Sequence, residues 1–417
     1  MITYITTYTL IGLITGISLA FDVSLMTQFA LPKLLILRVG TLALCLIWLK
    51  SQRQGLLQPL SRPVLAGVVF GIWQIVASFG ALHGYTALHG IAGWYNGLWT
   101  QLNYLLIFYL VAVLSIDRLK VLKTFVCVMS VVAVYAILQN YKLDFALYSF
   151  LKLKTAILFF DVKPSSTIGN PVTLAVCQML ALPFSIYFAI KSKGLKSVFW
   201  IVLSILFLLT IILTQARAVV LAMVAASLIL MFVYGWRHFT KRGLLYVIIN
   251  FLLLAAVSLA VLFTLSSPAT QNRWNPNKML QDDTVKLRII YAKTAYKMLT
   301  DKPIRILTGI GLDNLFIAYP LYRSTEAINL EPNSMPTQTH NSYLNYALTG
   351  GLPLLIFYLA FIGAVFKNIN RNDRLLGITF TASILMFLLQ DFTGWATIPT
   401  QVFFYIIMGL AVKNETS

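Results

Sequence analysis

The sequence predicts an all-α polytopic membrane protein of about twelve transmembrane helices with one large external loop. Three observations predict it. Mean hydropathy is +0.81, with 59% hydrophobic and 11% charged residues, which excludes an ordinary soluble domain. Apolar runs recur along the chain at roughly the 20-residue length that a membrane crossing needs. Basic residues gather in small clusters between alternate runs. Only helices or closed barrels satisfy every backbone polar group in lipid, and the alternating barrel pattern is absent.

Taken in order, the apolar runs place spans near 3–21, 34–49, 64–82, 101–116, 121–139, 171–190, 198–213, 218–234, 245–264, 352–366, 375–390 and 397–412. The first run lacks a basic flank and a small-residue cleavage site, so it reads as a retained span rather than a signal peptide. With the N-terminus inside, five short loops fall on the inner face. They carry Lys50, Arg53, Arg62; Arg118, Lys120, Lys123; Lys191, Lys193, Lys196; Arg237, Lys241, Arg242; and Lys367, Arg371, Arg374. This positive-inside pattern sets the orientation. The expected organisation is spans 1 to 9 over 1–264, the large loop over 265–339, and spans 10 to 12 over 340–417.

The remaining basic residues, about half of the total, concentrate in external segments that positive-inside sorting does not explain. A phosphate-bearing substrate on that face would. The strongly basic balance suits a lipid bilayer and an anionic substrate and implies no nucleic acid. Cys45, Cys127 and Cys177 all fall inside apolar runs. They offer neither a disulfide framework nor metal-ligand spacing, and no metal or cofactor is expected.

Within the large loop, residues 284–300 read as an amphipathic helix. Val285, Ile289, Ala292, Tyr296 and Leu299 recur at helical spacing, and Pro303 lies just past the end. Arg288 sits one turn in. Arg217 stands at the mouth of two spans joined by almost no loop, next to Thr214 and Gln215. It reads either as a snorkelling arginine or as a guanidinium fork for phosphate oxygens. His340 and Asn341 open a polar stripe entering the bilayer, which ends at Gly350, Gly351 and Pro353. Histidine is the side chain that changes protonation near neutral pH without a perturbed pKa. Arg38 lies about a turn inside a span and can snorkel or reach the same external site. Asp282 and Asp283 read as helix N-terminal acids rather than a metal pair. His83, His89 and His238 read as structural. No acidic residue falls in the middle of a span, which argues against a flippase or proton-coupled transporter of lipid-linked oligosaccharides.

Four motifs resemble the O-antigen ligase superfamily: STIGNP (166–171), TQARAVVLAMVAA (214–226), LRIIYAKTAYKMLTDKPIRILTGIGLDNL (287–315) and HNSYLNYALTGGLPLLIF (340–357). They occur in the order that the superfamily shows. The resemblance implies a GT-C-type, metal-independent membrane glycosyltransferase of the bacterial inner membrane, with its active site facing the periplasm. It implies a donor glycan carried on undecaprenyl pyrophosphate and an acceptor sugar hydroxyl on lipid A–core or another glycan. It assigns the pyrophosphate to Arg217 and Arg288 and catalysis to His340. Asn341, Gln215, Asn170 and Arg38 are the expected substrate-binding residues. Within the superfamily, a ligase is the first reading, a polysaccharide polymerase the second and a protein O-oligosaccharyltransferase the third. Leu348 stands where the final motif often has an acid, and Pro353 where it often has a further glycine.

Overall fold

The computed structural model describes residues 2–22, 24–53, 61–141, 143, 163–235, 283–333 and 335–412. All regular structure among them is helical. Among the described residues, seven helices are long and apolar enough to cross a membrane: α1 (Ile2–Leu19), α2 (Ala30–Arg53), α3 (Arg62–Phe79), α6 (Arg118–Asn140), α7 (Pro171–Lys191), α8 (Leu195–Leu213) and α14 (Ser342–Lys367). Four shorter apolar helices join them: α5 (Leu98–Val113), α9 (Arg217–Leu230), α15 (Arg374–Gln390) and α16 (Ile398–Val412). Every predicted span therefore falls on a helix except 245–264, which lies outside the described residues. A short helix, α4 (Gly84–His89), lies between α3 and α5. Four more, α10 (Asp283–Thr300), α11 (Arg305–Thr308), α12 (Leu315–Ala318) and α13 (Thr325–Leu330), belong to the large loop.

The chain divides into two compact units. The first contains residues 1–36, 115–266 and 371–390. Its centre is α7, whose side chains are buried over nearly the whole length. Apolar composition alone would place such a helix in lipid; enclosure by neighbours is what makes it a core element. Asn170 caps α7, its Oδ1 accepting from the Val172 and Thr173 amides at 2.9 and 3.1 Å. At the other end Tyr187 donates to Asp373 at 2.9 Å and Lys191 pairs with Asp373 at 2.9 Å, fixing the start of α15. Lys33 is buried, and its Nζ donates to the Ala20 and Thr167 carbonyls at 2.5 and 2.8 Å. A buried ammonium requires such acceptors, and here they hold the segment before Asn170 against the end of α1.

The second unit contains residues 37–114, 267–370 and 391–417. Phe70 of α3 packs against Tyr346, Tyr358 and Phe361 of α14, with ring centroids 5.6–6.1 Å apart. The loop helices surround Leu287, Tyr291, Ala295, Met298, Ile310, Leu315 and Tyr319, and Leu348 of α14 completes that core.

The joint between loop and spans follows from one proline. Pro353 has no N–H, so the carbonyl of Thr349 loses its intrahelical donor. The helix breaks there: Gly350 has φ −132° and Gly351 φ 74°. The Gly309–Ile310–Gly311 segment supplies the missing donors. The Ile310 amide donates to Leu348 O at 2.9 Å and the Gly311 amide to Thr349 O at 3.0 Å. Trp73 Nε1 takes the Gly350 carbonyl at 2.8 Å. A side chain at Gly351 would be strained by its φ and would press on the Leu307 backbone. Gly351→Ala is expected to destabilise the protein by about 1–3 kcal/mol, read as a lowered thermal midpoint in detergent; an unchanged midpoint would contradict this joint.

Candidate active site

Backbone strain marks the candidate motifs. Five non-glycine residues among those described have positive φ: Tyr95, Ser166, Gln215, Asp313 and His340. All but Tyr95 fall within the four quoted motifs. Such conformations cost of order 1–3 kcal/mol each and persist where the surroundings over-determine them.

His340 shows how. Gln338 clamps the Ala396 backbone, donating to its carbonyl at 3.1 Å and accepting from its amide at 3.0 Å. Asn96 donates to the same carbonyl at 2.8 Å. Beyond His340, the Asn341 side chain caps α14 by accepting from Leu344 N at 3.0 Å. The Ser342 amide donates to Asp391 O at 2.9 Å. Held from both sides, the imidazole stacks on Tyr291 with centroids 5.8 Å apart and meets Trp395 edge-on at 4.8 Å. The Tyr291 hydroxyl donates to Glu331 at 2.6 Å, which fixes the ring beneath the imidazole.

This enclosure sets the protonation state. Burial, and then the Arg288 guanidinium, lower the His340 pKa to about 4. Both disfavour the imidazolium, so the ring is neutral throughout the physiological range. A neutral ring nitrogen can accept a hydrogen bond from a hydroxyl. With His83, His89 and His238 replaced by Gln, the rate at which diethyl pyrocarbonate modifies His340 is expected to be half-maximal near pH 4 and flat above pH 6. Arg288→Gln is expected to move that midpoint upward; a wild-type midpoint at the ordinary histidine value would contradict the geometry.

Several buried polar atoms near this turn have no hydrogen-bond partner among the described residues: Ser342 Oγ, Asn345 Oδ1, Asp391 Oδ1 and Trp395 Nε1. Buried polar groups left unpaired are uncommon and costly, and their concentration around the base of α14 suits a site that pairs with hydroxyls. Burial drives the Asp391 carboxyl up to about 7. In the sequence Asp391 is an acid just past the end of the apolar run 375–390, an ordinary place for one. Its one detectable signal is its place before Trp395 in the connection preceding the last span.

The other expected residues are distributed as follows. Arg288, half-buried on α10, belongs to the same unit as His340 and acts on its charge. Arg217 opens α9 in the first unit and is half-buried. Its amide donates to the Gln215 carbonyl at 3.0 Å across the strained corner. The side-chain oxygens of Asn170 and Asn341 are both engaged in helix capping, which leaves their amide nitrogens for other partners. Arg38 is exposed on α2. Asp283 begins α10 and pairs with Lys286 at 3.4 Å; Asp282 lies outside the described residues. Among the described residues, no group of three His, Cys, Asp or Glu could hold a metal ion. The Gly-x-Gly loop is a structural joint: Asp313 accepts from the Ile91 amide at 2.7 Å, and Asn314 from the His83 amide at 2.9 Å.

Residues 202–359 match the protein-family model described as O-Antigen ligase. No curated protein matches the chain. The matched stretch includes Gln215, Arg217, Arg288, His340, Asn341 and the kink of α14, whereas Arg38, Asn170 and Asp391 lie outside it. The long apolar helices make this a multi-pass membrane protein.

Proposed function

We propose that this protein is an O-antigen ligase-type glycosyltransferase with the GT-C architecture. It moves a preassembled glycan from undecaprenyl pyrophosphate to a sugar hydroxyl of lipid A–core, at the periplasmic face of the bacterial inner membrane. The observation that carries this reading is the match to the O-antigen ligase family model over 202–359, which contains Arg217, Arg288 and His340. The proposed organisation keeps twelve spans, nine before residue 265 and three after 339, with the segment between them periplasmic.

In the proposed reaction the acceptor hydroxyl attacks the anomeric carbon, and the bond from that carbon to the pyrophosphate oxygen breaks. His340, neutral and held between Tyr291 and Trp395, accepts the hydroxyl's hydrogen bond and aims its lone pair. An imidazole with a pKa of about 4 is a weak base, so orientation is its main role and the proton leaves with the pyrophosphate. Asp391 and Asn345 pair with neighbouring acceptor hydroxyls. Arg217 and Arg288 neutralise the charge that develops on the leaving pyrophosphate.

With arginines in that role, transfer is expected to proceed undiminished in EDTA. Inactivation by EDTA that added magnesium or manganese reverses would overturn it. The lipopolysaccharide banding of a deletion strain tests the function. Loss of every capped band supports a ligase. A single-repeat cap identifies a polymerase, and unchanged bands with loss of a glycosylated protein identify a protein O-oligosaccharyltransferase.

A further inference from the structure

We propose that the outer faces of α10 and α11 rest on the membrane surface. Lys293, Lys297 and Lys302 pair with the phosphates of anionic phospholipids, and Tyr296, Ile304 and Leu307 enter the acyl boundary.

The first observation is a second apolar stripe on α10. The buried face uses Leu287, Ile290, Tyr291, Ala295 and Met298. Tyr296 is nonetheless 67% exposed, with Lys293 and Lys297 beside it at helical spacing. On α11, Ile304 is 60% and Leu307 53% exposed. Among the described residues, the protein leaves Tyr296, Ile304 and Leu307 each more than half exposed.

The second observation is depth. The 18 residues of α3 span about 27 Å, the thickness of a hydrocarbon core. Just past its end, a Cβ on Gly80 would lie 3.5 Å from Thr308 of α11. Residues 352–367 of α14 span about 24 Å, and their upper end is the kink packed on the backbone of Leu307. Two separate helices thus place α11 at the same boundary between hydrocarbon and headgroups. Apolar side chains exposed at that level meet lipid rather than water.

The third is charge. Lys293, Lys297 and Lys302 are exposed and form no ion pair among the described residues. The nearest acid in sequence, Asp301, is turned to Arg305 at 3.4 Å and to the Tyr322 hydroxyl at 2.7 Å. An aromatic residue with lysines over an apolar edge is the composition of an interfacial helix on anionic lipid. The contact would hold α10, and with it Tyr291 and Arg288, at a fixed height above the bilayer.

The test uses the full chain in vesicles, with Cys45, Cys127 and Cys177 replaced by Ser and a bimane fluorophore on Ile304→Cys. Doxyl-labelled phosphatidylglycerol should quench it at least about fivefold more than doxyl-labelled phosphatidylcholine at equal mole fraction. The preference should vanish in Lys293→Gln/Lys297→Gln/Lys302→Gln while quenching by both lipids persists. Equal quenching by the two lipids in the unsubstituted background overturns the recognition of anionic headgroups. Quenching by aqueous iodide and by neither lipid overturns the contact altogether. A control bimane on Phe79→Cys, at the end of α3, reports correct insertion in every variant.

Discussion

His340→Ala is expected to lower glycan transfer by about 10²–10⁴ while leaving expression and membrane insertion intact. The size follows from the role: a neutral imidazole held at one height and angle replaces the random approach of a hydroxyl. The specificity follows from the setting. His340 stacks on Tyr291 and meets Trp395, but it caps no helix and joins no ion pair among the described residues. Its removal therefore leaves the Gln338–Ala396 clamp and the Asn341 cap in place. His340→Gln separates two roles. A glutamine can accept a hydrogen bond but cannot carry a proton at this site, so partial retention supports orientation. Wild-type rates in purified His340→Ala would remove the catalytic role.

Arg217→Lys and Arg288→Lys are each expected to lose about 10²–10³ in rate although the charge is kept. Guanidinium offers a planar fork that matches two phosphate oxygens, whereas ammonium is a point donor. Arg288→Lys should leave the His340 titration close to that of the wild type, because a positive charge remains on α10. Its rate defect and its effect on histidine protonation are thus separable, unlike those of Arg288→Gln. If either lysine variant keeps more than about half of the wild-type rate, bidentate phosphate binding is wrong.

Much of this fold is legible in composition. A membrane span declares itself by a run of apolar residues, so helices lie where the runs predict them wherever the structure describes the chain. The break in α14 was also visible as Gly350, Gly351 and Pro353. What sequence does not show is which apolar stripe meets protein. On α10 the expected face was Val285, Ile289, Ala292, Tyr296 and Leu299. The structure instead buries Leu287, Ile290, Tyr291, Thr294, Ala295, Met298 and Leu299, leaving Ile289 and Tyr296 outward. Both stripes have helical period, and only the packing against Leu348 and Tyr319 decides between them.

The candidate site was legible where it depends on residue type and spacing. Arg217, Arg288 and His340 stood out because such side chains at membrane boundaries need a reason. Lys33 and Asp391 did not, because a charged residue at a span end has an ordinary explanation. Their burial is a tertiary fact: Lys33 is enclosed between two carbonyls, and Asp391 lies under the first turn of α14. Tyr291 and Trp395 were hidden for the same reason, since nothing in sequence separations of this length joins two rings to one histidine.

The central claim is that this chain joins a whole lipid-linked glycan to an acceptor sugar, using His340. The most direct measurement is mass spectrometry of the acceptor after incubation with purified protein in proteoliposomes, undecaprenyl-pyrophosphate-linked glycan and lipid A–core. The account predicts an acceptor heavier by one entire donor glycan, with undecaprenyl pyrophosphate released in equal amount and both products formed about 10²–10⁴-fold more slowly by His340→Ala. An acceptor of unchanged mass, while the lipid-linked glycan itself lengthens or crosses the bilayer intact, would contradict it.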